Sequence, residues 1–401
     1  LICADVGGTS TDVSLIVGGK PFVSNTFELE HDLVINALST EIASVGAGGG
    51  SVVTVAPSGN MAVGPESVGS DPGPACYGRG GTAPSLTDAC LLMGIIDGQR
   101  FAGGEIALDG RLARSAFESL NTPLSFSERI GHAFRIAASN VAEEIANVTI
   151  RHGVDPRDFV LIAYGAAGGM LLPATLDLLQ VKSIIVPPHP GLFSALGLLS
   201  TNPVYYEQRS AYVVLTAAAA DEIAAVFEEM ETSLMARVGV IDGIEVRRSF
   251  DGRLVGQTWE TPFVAVPAGR ITADRIDGLI AAFHDEYDRR NGNRFPDLPV
   301  EGVTYRVEIV VPSRKVEYPR LERAASRDPT PTGSVEIRYL SDGGPVRANE
   351  YERDALLAGA AVVGPALIRE PLSTTFVLPD QLATVGPVGE LVIRQGNAEA
   401  L

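Results

Sequence analysis

Basic residues are scarce in this chain. Its 401 residues carry 31 Lys and Arg against 49 Asp and Glu, a formal charge of −18. Nucleic acids and anionic membranes are gripped by clustered Lys and Arg, so neither is an expected partner. Any phosphate site must then work through local backbone N–H groups and a metal ion, against the global field. Long apolar runs are missing too: none approaches the roughly 20 residues of a membrane span. The first residues lack the basic segment and small-residue cleavage site of a signal peptide. Cysteine is rare and odd in number, with Cys3, Cys76 and Cys90 in no CxxC spacing. That argues against a disulfide framework and predicts a reducing, cytoplasmic setting. The five histidines, His31, His132, His152, His189 and His284, form no HxH or HExxH pattern, so no zinc motif is present. Among them His189, set between two prolines, is the candidate pocket residue, and His132 and His152 read as structural.

What is present describes a globular protein, with 45% hydrophobic and 20% charged residues and length for two or three domains. Leu1 is not Met and a strand begins at once, so the chain is expected to be a piece of something longer. Residues 1–17 read as two strands around a polar loop, and Lys20 to Ser24 as a third. A Gly- and Pro-rich stretch follows, too irregular for helix. "SLTDACLLMG" predicts a helix capped by Ser85 or Thr87 and stopped by Gly94. The clearest helix spans Ser127 to Gly153, where Phe134, Ala137, Val141, Ile145 and Val148 fall on one face. The strand "FVLIAYG", a helix over Met170 to Leu179 and the strand "VKSIIVPP" continue an α/β pattern, with "HPGLFSALGLL" as a short buried helix. From about Pro203 the pattern changes to strand-like runs with two amphipathic helices, a β-rich second domain over 206–401.

The chemistry concentrates in "ADVGGTSTDVSLIVGGKPF", Ala4 to Phe22. Gly7 and Gly8 let backbone approach a ligand closely and are expected at φ > 0. Successive N–H groups in such a turn make an anion-binding concavity, and Thr9, Ser10 and Thr11 add hydroxyl donors. Asp5 and Asp12 would repel a phosphate, so their natural partner is a divalent cation. The alternative is an ornate hairpin whose Thr and Asp side chains cap their own backbone. "IAYGAAGGM", residues 162–170, ends a strand and enters a helix, and Gly165, Gly168 and Gly169 would let a ribose or base lie against the chain. Gly48, Gly49 and Gly50 form either another backbone nest near a substrate or a tight loop under a neighbouring strand. Arg79 is a candidate grip for a substrate carboxylate or phosphate. Cys3 and Cys76 read as packing residues, and Trp259 as a core or interface aromatic.

"ADVGGTSTDVSLI", "GAGGGS", "VGPESVGSDPGPACYGRGG", "LTDACLLMG" and "HPGLFSALGLL" together resemble the hydantoinase/oxoprolinase family, over nearly the whole chain. The resemblance implies an RNase H-like lobe of an actin-like ATPase fold over 1–205 and a β-rich α+β C-terminal domain over 206–401. It implies that Asp5 to Asp12 is one of two phosphate loops, that Gly165, Gly168 and Gly169 border the adenosine, and that the first lobe precedes Leu1. ATP and Mg2+ or another divalent metal are the implied cofactors, with Asp5 and Asp12 at the metal. The implied activity is ATP-dependent hydrolysis of a cyclic amide, or activation of a carbonyl substrate in a carboxylase, beside a second, larger subunit. Two motif positions depart from the family. "EIAS" carries Glu41 and Ala43 where many members have D-x-H-[ST], and "GAAGGMLL" carries Leu171 where they have His. These losses put hydantoin or oxoproline hydrolysis in question and keep open a non-catalytic assembly subunit with the same fold.

Overall fold

Burial alternates along the first strand. In Ile2–Val6 (β1), Ile2, Ala4 and Val6 are fully buried, while Cys3 and Asp5 are half-buried on the other face. A period of two is what a sheet with one core-facing side requires. Cys3 is therefore not the core residue expected from its apolar neighbours. The computed structural model describes residues 1–29, 33–239, 241–338 and 344–396, with side chains left aside over 24–38. His31 lies outside the described residues.

β1 pairs antiparallel with Thr11–Val17 (β2), in a register that sets Ile2 opposite Leu15 and Asp5 opposite Asp12. On its other side β1 runs parallel to Leu161–Tyr164 (β4), which runs parallel to Ile184–Val186 (β5). Ala43–Val45 (β3) also pairs with β2. Beyond β5 the sheet is completed from the far end of the chain by Ala361–Val363 (β6), Gln381–Val385 (β7) and Leu391–Gln395 (β8), in the order β6-β7-β8-β5-β4-β1-β2. The sequence division at 205/206 and the division of contacts therefore differ. One unit comprises Leu1–Gly197 with Glu317–Leu401, and the other Leu198–Val316. Strand pairing across so many residues leaves no local signature, which is why the return was not legible.

The helix Phe126–Arg151 packs its apolar stripe on this sheet. Phe134, Ala137, Val141, Ile145 and Val148 are buried with Ile2, Val6, Val13 and Leu15. Each large side chain so placed contributes roughly 1.5–3 kcal/mol. Ser125 caps the helix and Glu128 answers it in a capping box; Gly153, at φ 65°, follows its end. The expected helix over Met170 to Leu179 is a run of short helical pieces from Gly168 to Leu179. The expected buried helix at "HPGLFSALGLL" is Phe193–Ser200 and buries none of its residues. Val23–Leu29 and Leu33–Thr40 form a hairpin that the sequence reading did not separate. Ser51–Val55 and Met61–Ser67 form a second hairpin inside the stretch read as irregular. A smaller sheet in the order 333–337, 346–352, 366–370, 373–377 belongs to the same unit.

The second unit has its own core. Its strands run in the order Val204–Val214, Val300–Val310, Glu245–Leu254, Thr261–Val266. The helices Ala220–Val238 and Ile276–Asn291 cover Phe227, Phe250, Phe283 and Tyr305. Trp259 is 86% exposed, so it is not a core residue. Among the described residues no helix is long and apolar enough to cross a membrane.

The irregular segment before the helix Leu86–Met93 is held by a single buried carboxylate. Asp88 accepts the Ser85 N–H (2.9 Å) and hydroxyl (2.7 Å), the Cys76 N–H (2.7 Å) and the Ala75 N–H (3.3 Å). A carboxylate can accept that many bonds, and each donor left buried without it is costly. Asp88→Ala is expected to lose about 3 kcal/mol or more of unfolding free energy, and Asp88→Asn less. Urea denaturation of the two variants checks both the size and the order.

Candidate functional site

The turn between β1 and β2 is closed by the Gly7 N–H donating to the Ser10 carbonyl at 3.0 Å. Its two inner carbonyls are tied down. Gly49 N–H donates to Gly7 O at 3.0 Å and Gly50 N–H to Gly8 O at 2.5 Å. Thr11 Oγ1 donates to Ala47 O at 2.5 Å, and Thr87 donates to Gly49 O through both N–H (2.7 Å) and hydroxyl (2.8 Å). In a trans peptide the C=O and N–H point in opposite directions. Binding the carbonyls of Gly7 and Gly8 to the second loop therefore turns the N–H groups of Gly8 and Thr9 outward.

This contact explains the "GAGGGS" run. A Cβ on Gly48 would lie 2.9 Å from Gly7 O, Gly8 C and Ser10 N, all backbone atoms. Gly48 N–H itself goes to Ser51 Oγ at 2.8 Å. The amides of Gly48, Gly49 and Gly50 are spent inside the protein, so the loop braces the first turn instead of forming a second nest.

On the outer side, the N–H groups of Gly8 and Thr9 meet no protein acceptor among the described residues, and the Ser10 N–H meets none either. Neither Gly7 nor Gly8 takes the positive φ expected of it. A Cβ on Gly8 would meet nothing within 4 Å, so glycine there keeps space open over the amides. Asp5 and Asp12 are direct cross-strand neighbours, flanked in register by Tyr164 on β4 and Ser44 on β3. Ser194 Oγ donates to Asp5 Oδ2 at 2.5 Å. Two like charges opposite each other on a sheet destabilise it. A cation relieves that, and two carboxylates suit a magnesium that keeps waters or phosphate oxygens in its remaining positions. Among the described residues no group of three or more His, Cys, Asp or Glu gathers to hold a metal alone. Burial, and then the charges of Cys3, Asp5 and Asp12, push the Tyr164 phenol well above its ordinary range, so it stays a neutral hydroxyl.

The second Gly-rich turn locks onto the first. Gly165 has φ 81°, and a Cβ there would overlap Asp5 Oδ1 and Val6 O. Ala167 N–H donates to Val6 O at 3.0 Å. Gly168 packs on the Ala163 carbonyl carbon, and Gly169 on Thr375 Oγ1. Both are buried, and the exposed residue of the turn is Ala166.

A cavity of about 340 Å3 opens beside the first turn, lined by Gly7, Gly8, Gly49, Ala166 and the hairpin tip 369–374. Arg79 is elsewhere, exposed, with its guanidinium 5.7 Å from the Tyr77 ring and donating to Ser70 O at 3.4 Å. The guanidinium groups in the cavity wall are Arg100 and Arg369. Neither stands in a stretch that marks a site by local pattern, because only the fold brings them together. His189 is exposed in the left-handed region and not in the wall, although Gly191 is. Cys76 is buried, and desolvation with the nearby Asp88 holds its thiol far above the ordinary range, so it is no nucleophile. His152 Nε2 sits 3.2 Å from Glu41 Oε1 with its ring stacked on Phe22, a structural arrangement at the end of the long helix.

Residues 1–205 match the model for hydantoinase/oxoprolinase and residues 205–386 that for the hydantoinase/oxoprolinase C-terminal domain. An uncharacterised protein of Methanocaldococcus jannaschii is 31% identical over 98% of the chain and 58% of its own length. Caprolactamase subunit alpha of Pseudomonas jessenii is 26% identical over 99% of the chain and 58% of its length. The chain thus spans less than two thirds of these relatives. Nucleotide-free acetone carboxylase has a TM-score of 0.86 at 23% identity, over 98% of the chain and 58% of that structure, a likeness of fold. The ATP-dependent caprolactamase of Pseudomonas jessenii has a TM-score of 0.80 at 25% identity, over 99% and 59%.

Gly48 of the bracing loop and Gly8 of the turn are expected to respond in opposite ways. Gly48→Ala forces backbone against backbone and is expected to cost about 1–3 kcal/mol. Gly8→Ala is expected to leave the melting temperature within about 1 °C, since its Cβ has room. Thermal unfolding of both variants checks the contrast.

Proposed function

The chain belongs to the hydantoinase/oxoprolinase family, and on that premise we propose that it forms the phosphate- and metal-binding part of an ATP-dependent enzyme acting on a small cyclic amide or carbonyl compound. The observation that carries this reading is the pair of outward N–H groups at Gly8 and Thr9, with the unpartnered Ser10 N–H, beside the paired carboxylates of Asp5 and Asp12.

The residues fit the groups the family implies. The amides, with the hydroxyls of Thr9 and Ser10, would hold phosphate oxygens; Thr11 is buried and its hydroxyl is spent on Ala47, so it shapes the turn. Asp5 and Asp12 would hold the divalent metal through oxygen or its water shell, and Ser194 orients Asp5. Gly165 keeps Asp5 in place because any side chain there would displace it. Adenosine would border the turn at Ala166; Gly168 and Gly169 support that turn from beneath. When bound, ATP supplies a phosphoryl group that converts a poor leaving oxygen into a good one. The protein's contribution is position and charge neutralisation: fixed dipoles that need no reorganisation as negative charge develops. A small substrate, a second subunit and a cytoplasmic location belong to the same reading, supported by relatives named as subunits and by the free Cys3, Cys76 and Cys90.

One observation favours the non-catalytic alternative. Leu171, where family members carry His, is fully buried, and Ala43 lies in β3 opposite Val13. In the intact protein, Asp5→Asn and Asp12→Asn are each expected to lower magnesium-dependent ATP turnover roughly 100-fold, a size typical for loss of one charge-stabilising group. Turnover unchanged by both substitutions overturns the assignment, and absence of any thermal shift with Mg·ATP in the wild type favours the assembly subunit.

A further inference from the structure

The two guanidinium groups in the wall of the cavity beside the Gly7–Gly8 turn are held in different ways. Arg369 is buried and all its nitrogens are committed. Nε and Nη2 hold Glu350 at 3.0 and 2.6 Å, while Nη1 meets Ile95 O and Thr374 Oγ1. Arg100 has half of its side chain exposed, and its one side-chain partner among the described residues is Glu352, held at 2.6 and 2.8 Å. Glu352 is itself 39% exposed. Water competes for both members of such a pair, so the clasp is readily exchanged for another acceptor. The loop that carries Arg100 is pinned at its base, where Leu108 N–H donates to Gly98 O at 2.9 Å. Between these ends Ala102, Gly103 and Gly104 follow one another in the left-handed region, at φ 51°, 71° and 87°. Gly103 N–H reaches across to Pro371 O of the hairpin tip at 2.8 Å, and Phe101 and Ala102 line the cavity with Arg100.

We propose that Arg100 changes partners: when a phosphate oxyanion sits on the amides of Gly8 and Thr9, the guanidinium leaves Glu352 and grips the oxyanion from the cavity side. Gly8 and Arg100 border one cavity of about 340 Å3, small enough for a single bound group to touch both. The site needs a full positive charge from its own wall. Glu370, which lines the cavity, is neutralised by Arg353 at 2.6 Å, but Asp97 in the same wall has no ion pair among the described residues. Two amide dipoles beside that carboxylate leave an oxyanion under-compensated. Arg369 cannot help without abandoning Glu350 and two further acceptors, so Arg100 is the cation that can move. Its planar fork matches two phosphate oxygens at once, and the exchange gains because the cavity holds less water than the surface around Glu352. The inference rests on the reading of the Gly8–Thr9 turn as a phosphate site and adds the side chain that answers it.

Arg100→Gln and Glu352→Gln break the same clasp, yet the proposal gives them opposite effects. In the intact, nucleotide-free protein, tripolyphosphate with excess Mg2+ is titrated by calorimetry at fixed ionic strength. Arg100→Gln is expected to bind it about 10-fold more weakly, the loss of a charge-assisted contact. Glu352→Gln removes the competing carboxylate and is expected to bind it about 3-fold more tightly. A clasp that only braces the wall moves both variants in the same direction or neither, and either result overturns the proposal. Hydrogen exchange supplies a second readout should one variant fold poorly. The probe is expected to slow exchange over residues 98–108 in the wild type and not in Arg100→Gln; equal slowing in both overturns the role of Arg100. A wild type that binds while the variants shift alike removes Arg100 and leaves the turn standing. A wild type that does not bind the probe at all removes the turn as a phosphate site and the proposal with it.

Discussion

Two backbone hydrogen bonds, from Gly49 and Gly50 to the carbonyls of Gly7 and Gly8, set the polarity of the whole site. A peptide plane cannot turn its carbonyl inward without turning the next N–H outward. The second loop thus fixes an outward row of positive dipole ends on the first, and Gly48 makes the approach possible because no Cβ fits there. Thr87 anchors the second loop through Gly49 O, and Asp88, one residue on, gathers the segment from Ala75 to Ser85. The chain of dependence runs from a buried carboxylate through a helix N-terminus to the two amides of Gly8 and Thr9 at the surface.

The acidity of the chain gives that arrangement its meaning. With a formal charge of −18, an anion is not drawn in by net charge. Fixed dipoles, and the metal proposed to sit at Asp5 and Asp12, would be local means that work against an unfavourable field, and they are strongest where water is excluded. Arginine near the cavity is not spare charge but structure. Arg353, Arg369 and Arg100 tie the strand 346–352, the strand 366–370 and the segment 95–102 into one wall. Exposed pairs such as Arg100–Glu352 contribute little to stability.

Much of this was legible residue by residue. The stripe of Phe134 to Val148 announced the long helix, and Ser85 with Gly94 bounded the one before it. The turn "DVGGTSTD" stood out because its residue types match a binding task, and the structure sets Asp5 opposite Asp12 at its two ends. Other readings missed for physical reasons. Arg79 looked available but is spent on Tyr77 and Ser70, and the glycines at 48–50 and 168–169 looked like ligand loops but are packing contacts. A glycine needed by a ligand and one needed by a neighbouring backbone look alike until the neighbour is known.

The sequence alone determined the helices around Leu86–Met93 and Phe126–Arg151, the placement of Asp5 and Asp12 at the two ends of a glycine turn, and the family. Those follow from periodicity and from residue types within a few positions of one another. Only the tertiary structure decided that residues 361–395 complete the first sheet, that the hairpin tip at 369–374 walls the cavity, and that its arginines are already paired. Each of these depends on contacts between segments hundreds of residues apart, where free energy is set by burial and hydrogen-bond geometry and leaves no mark on the local order of residues.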